Sequence, residues 1–108
     1  MTTAEFRNLT MGLPGASESS HMNHPDFRLG GRIFASLGYP DDGHAMVKLS
    51  PAQQAHFIAK DPATFSPSAG AWGRQGSTNV HLGSARFSLV GAALVAAALT
   101  ATMGKKKK

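Results

Sequence analysis

The feature that most constrains this chain is a glycine pair, Gly30-Gly31, set between two short apolar-rich runs, Pro25-Asp26-Phe27-Arg28-Leu29 and Arg32-Ile33-Phe34-Ala35-Ser36-Leu37. Two-residue hairpin loops need positive φ, a region open to glycine and costly for residues with a Cβ. The pair therefore predicts a β-hairpin in which Leu29 faces Arg32, Arg28 faces Ile33 and Phe27 faces Phe34. The second strand is apolar on both sides, as a central strand would be. Arg28 and Arg32 fall on opposite faces of this ribbon unless a bulge intervenes, because a slip of one residue reverses every side chain.

Further strands follow from alternation. Residues 44–49 place Ala45, Val47 and Leu49 on one face, and residues 77–82 do the same with Thr78, Val80 and Leu82. A turn rich in Asp and Gly over residues 38–43 joins the hairpin to the first of these. Helix starts are written in capping chemistry. Thr2 and Glu5 have the spacing of a capping box, and Phe6, Leu9 and Leu13 then recur on one face up to Pro14-Gly15. Ser50-Pro51-Ala52-Gln53 opens a second helix, running to about Lys60, with Ala55, Ile58 and Ala59 as its apolar stripe and Phe57 to one side. Residues 16–23 read as a polar loop, and Phe65 is expected to return to the core. Residues 66–76 read as a long glycine-rich loop holding the only tryptophan, Trp72. Such loops more often carry function than simple connection. The prediction is an α+β fold, an antiparallel sheet of about four strands covered by helices.

Residues 84–103 form an Ala- and Leu-rich helix. Its stretch from Phe87 to Met103 carries no charge but is dominated by small residues and sits at the short limit for a bilayer span, so it is expected to pack on the sheet and not in a membrane. A helix apolar all round also invites burial on a second side, which makes a homo-oligomer through this Ala-rich helix an expected partner arrangement.

The formal charge of +5 is misleading until it is located. Residues 105–108 are four lysines, and residues 1–104 hold seven Lys and Arg against six Asp and Glu. The expected organisation is one domain over residues 1–104 with a solvated basic tail. Only a local cluster of cations could mark a nucleic-acid surface. The chain has no cysteine, and its first ten residues include Glu5 and Arg7 with no apolar run, so a cytoplasmic location is expected.

Catalytic chemistry finds little support. There is no Gly-x-Ser-x-Gly elbow, and the glycine-rich segments do not open helices as a phosphate loop or dinucleotide fingerprint would. His21-x-x-His24-x-Asp26 has a metal-like spacing, but it flanks Pro25 in a turn and lacks a further rigid ligand. No catalytic residue, metal or cofactor is predicted. The remaining constellation is basic and aromatic: Arg28, Arg32, Lys48 and Arg74 with Trp72. Arginines on a hairpin or glycine-rich loop can meet phosphates, and a loop tryptophan can stack on a base. The alternative is a pocket for a small ligand or protein partner, lined by Trp72 and Phe65 with Arg74 as its anion anchor.

The order and spacing of several pieces resemble one family. These are Leu13-Pro14-Gly15, His24-Pro25-Asp26-Phe27-Arg28-x-Gly30-Gly31-Arg32-Ile33-Phe34-Ala35, Met46-Val47-Lys48-Leu49-Ser50-Pro51-x-Gln53-Gln54, Phe65-Ser66-Pro67 and Gly70-Ala71-Trp72-Gly73-Arg74-x-Gly76-x-Thr78-x-Val80. Over about residues 6–82 the chain is similar to the MmcQ/YjbR family of small bacterial proteins. The resemblance implies a CyaY-like two-layer sandwich and a DNA-binding role ascribed to a double-wing arrangement of hairpins. On that implication Arg28, Arg32, Lys48, Trp72 and Arg74 are the candidate DNA contacts. The final helix departs from the family pattern, since relatives carry aromatic and charged residues there.

Overall fold

The structure, a computed structural model, describes residues 1–21, 23–38 and 41–106. Met22, within the stretch read as a polar loop, Tyr39 and Pro40 of the turn over residues 38–43, and Lys107 and Lys108 of the tail lie outside the described residues.

Both capping boxes form. Thr2 Oγ1 accepts from the Glu5 amide at 3.1 Å while Glu5 Oε1 accepts from the Thr2 amide at 2.8 Å, opening α1 (Thr3–Met11). Ser50 and Gln53 make the same reciprocal pair ahead of α2 (Pro51–Lys60). Helix α1 stops at Met11, short of the Pro14-Gly15 signal, and buries Phe6 and Thr10. In α2 the buried residue is Phe57, with Ile58 half-buried and Ala55 and Ala59 exposed. The helix touches the core through a narrow line, and the large ring takes that line by packing on Phe65 at a centroid distance of 5.4 Å.

The glycine pair makes the turn it predicts. Gly30 and Gly31 both have positive φ, 57° and 81°, joining β2 (His24–Leu29) to β3 (Arg32–Leu37). Leu29 faces Arg32 and Arg28 faces Ile33, but Phe27 then pairs with Ala35 and not Phe34. Phe34 is the extra residue of a β-bulge, and the shift leaves Phe27, Phe34 and Ala35 all fully buried. Strict alternation would turn either Phe34 or Ala35 outward. The bulge lets both enter the core and adds local twist.

The sheet has six strands and not about four. Beyond the hairpin, β4 (His44–Lys48) and β6 (Ser77–His81) form as expected, and β1 (Ser17–His21) and β5 (Phe65–Pro67) are added at the two edges. The order is β1-β2-β3-β4-β6-β5, with every neighbouring pair antiparallel. Strand β1 lies in the predicted polar loop. Its Ser-Glu-Ser-Ser run pairs by backbone along a solvated edge, where no apolar alternation is required.

Helices cover one face. Helix α4 (Phe87–Lys106) packs on β3 and β4, burying Val90, Ala93, Leu94, Ala97 and Ala101. Its small side chains let the helix axis approach the sheet, where the aromatic residues of the strands supply the bulk. The outer side leaves Phe87, Val95 and Leu99 exposed. Among the described residues, no helix is long and apolar enough to cross a membrane.

Candidate nucleic-acid interface

Antiparallel pairing brings distant parts of the chain to one end of the sheet. Lys48, the last residue of β4, pairs with Ser77, the first of β6. The residues just before Ser77 are therefore delivered beside Lys48, and here they form a short helix, α3 (Gly70–Arg74), in place of the predicted loop. Strand β3 also runs antiparallel to β4, so its first residue, Arg32, and the hairpin tip lie at this same end.

The result is a concavity of about 500 Å³ whose walls include Arg28, Arg32, Lys48 and Trp72. Arg28 and Arg32 oppose Ile33 and Leu29 respectively, yet both line the one hollow, because it opens at the twisted tip of the hairpin, where Gly31 also contributes. The expectation that opposite faces would separate them is thus corrected. Arg74 is not among the described residues that line the hollow. It follows Trp72 by two positions, about 200° around a helix, whereas Gln75, three positions on, shares the Trp72 side and does line it. Phe65 is buried against Phe57, so neither it nor Arg74 lines the hollow beside Trp72, against the expectation of a shared pocket.

Each cation is held differently. Arg28 grips Asp26 with two bonds, Nε to Oδ1 at 2.8 Å and Nη2 to Oδ2 at 3.2 Å, and this bidentate carboxylate contact raises the guanidinium pKa. The Asp26 side chain is 3% exposed, so Arg28 compensates a buried charge and keeps its Nη1 donors outside the pair. Arg32 is exposed and makes no ion pair among the described residues. Lys48 Nζ lies over the Trp72 ring, 5.5 Å from its centroid. This cation–π contact fixes the ammonium against the indole.

Trp72 itself is 64% exposed, yet its backbone is braced. A Cβ on Gly73 would run into the Ser68 carbonyl, so only glycine allows α3 to lie this close to the preceding segment. Gln54 Nε2 donates to the Gly73 carbonyl at 2.9 Å and lies 3.0 Å from the Ser77 carbonyl, tying α2, α3 and β6 together. Sequence reasoning missed Ser77 and Thr100, polar groups of the hollow. Thr100 donates to Gln53 Oε1 at 2.9 Å, and within an Ala-rich helix it carried no signal beyond small size.

The histidines cluster elsewhere. His44 and His81, far apart in sequence, face each other across β4 and β6 with ring centroids 5.2 Å apart. His44 Nδ1 bonds Asp41 at 2.8 Å, and that hydrogen bond, aided by the Gly43 amide, holds the Asp41 carboxyl below its usual range. No group of three possible metal ligands occurs among the described residues, and Asp26, weighed as a ligand with His21 and His24, is engaged by Arg28.

Comparison with known proteins places the fold. The crystal structure of a Deinococcus radiodurans protein with a DUF419 domain has the same fold, with a TM-score of 0.76 at 20% identity over 94% of this chain and 78% of that one. No curated protein matches the chain. A family model described as YjbR matches residues 11–101, from the end of α1 through the hairpin, the concavity and most of α4. By that match, which takes in every residue lining the hollow, the chain belongs to the YjbR family.

Proposed function

We propose that this chain is a DNA-binding module that acts by contact and not by catalysis, taking phosphates at the concavity between Arg28, Arg32 and Lys48. The observation that carries the reading is the convergence of three cations from separate strands on one hollow, of which Arg28 is the one paired with a carboxylate, that of Asp26, among the described residues. A guanidinium fork matches phosphate oxygens in pairs, and an ammonium serves as a point charge. Residues 1–104 are almost neutral overall, so few phosphates are neutralised and binding is modest and salt-sensitive. A hollow of about 500 Å³ also falls in the range of small-ligand sites, which favours a phosphorylated small molecule as the second reading.

The test is fluorescence anisotropy of labelled DNA with the full chain carrying serine at residues 105–108. Binding should survive this replacement and weaken in Arg32→Gln and in Lys48→Gln, while Arg74→Gln changes it little. A tail-neutralised chain that binds no DNA would overturn the reading.

A further inference from the structure

We infer that the DNA taken at this hollow is a single strand with an unstacked base, and that Trp72 is the platform on which that base stacks. The inference rests on the DNA-binding reading above and narrows it to a substrate class.

Trp72 is the largest exposed side chain of the fold, and it is exposed on a rigid mount. The Lys48 ammonium lies over the ring, and the 64% exposure leaves the rest of the indole surface to solvent. A duplex presents phosphates and groove edges along its length, but base faces only at its ends. An indole on the wall of a hollow therefore has nothing to stack on along a duplex. A single strand supplies both elements at once, phosphates for Arg28, Arg32 and Lys48 and bases free to splay onto an aromatic ring. The hollow has the volume for a nucleotide unit, whereas a duplex keeps its bases stacked inside and could bring only its backbone to it. Gln75, Ser77 and Thr100 add polar groups to the walls, and the Ser77 and Thr100 hydroxyls are already bonded to Ser68 and Gln53, so no bidentate pattern dictates one base.

The experiment uses the full chain with serine at residues 105–108 and three probes: labelled oligothymidylate, a duplex closed by hairpin loops at both ends, and thymidine monophosphate as competitor. The single strand should bind about 10-fold tighter than the closed duplex and quench the emission of the sole tryptophan. Trp72→Ala should weaken the single strand roughly 5- to 150-fold and the closed duplex by a clearly smaller factor, and Trp72→Phe should retain most of the binding. Circular dichroism controls for folding. Equal or tighter duplex binding, or a Trp72→Ala chain that holds the single strand unchanged, overturns the inference and leaves the DNA-binding reading standing. Monophosphate competing at the oligonucleotide's own affinity overturns both in favour of a small ligand. Failure of every DNA probe to bind removes the underlying reading and the inference with it.

Discussion

Replacing Arg32 by glutamine should lower the salt dependence of DNA binding by an amount that the structure fixes. Arg32 is exposed and holds no ion pair among the described residues, so the substitution removes a cation without stranding a carboxylate. Arg28 would be a poorer choice, because its loss leaves the buried Asp26 uncompensated and mixes stability with binding. Each phosphate neutralised on a single strand contributes about −0.7 to the slope of log affinity against log salt. The three cations of the hollow then give a slope of about −2, or about a 20-fold loss between roughly 50 and 200 mM salt. Arg32→Gln should reduce the slope to about −1.4, for about a 7-fold loss over the same interval. Anisotropy titrations on the chain with serine at residues 105–108 read this directly, with Arg74→Gln as a comparison that keeps the parent slope. An unchanged slope in Arg32→Gln, or an equal reduction in Arg74→Gln, would refute the assignment of phosphate contacts to the hollow.

Where structure is set by neighbours in sequence, it was readable in advance. The Thr2/Glu5 and Ser50/Gln53 boxes and the Gly30-Gly31 turn are local chemistry, and each forms where it is written. Central strands β4 and β6 carry the alternation that one-sided burial demands. Edge strand β1 carries none, since its polar residues need only backbone partners, and it read as a loop. Phe34 was misplaced because a bulge depends on whether the core can hold two consecutive side chains, a tertiary question. At the site, residue types were legible and their grouping was not. Arg74 and Trp72 are neighbours in sequence but sit on different sides of a helix hidden among glycines, while Arg28 and Arg32 converge only through the hairpin's twisted tip.

Two further outcomes probe the fold. Phe34→Ala removes a fully buried ring at the bulge and should cost about 3–5 kcal/mol in urea unfolding; a loss under about 1 kcal/mol would contradict its place in the core. The Asp41 carboxyl is held below the ordinary value of about 3.9 by its hydrogen bond to His44 and by the Gly43 amide. A lowered folded-state value means that its stabilisation is complete above about pH 4 and is lost as pH falls through the folded value. Asp41→Asn should therefore flatten the acid limb of stability below about pH 4, and parallel acid limbs for the two proteins would show the contact to be idle.

On the proposed reading, DNA is held at the end of the sheet where the hairpin tip, the close of β4 and α3 meet. Backbone amide shifts recorded by NMR during titration with a short oligothymidylate test it most directly. Changes are expected to concentrate at residues 28–32, 48–49 and 72–77, together with the Trp72 indole resonance. Changes centred instead on the His44 and His81 end of the sheet, or on the exposed side of α4 around Val95 and Leu99, would contradict it.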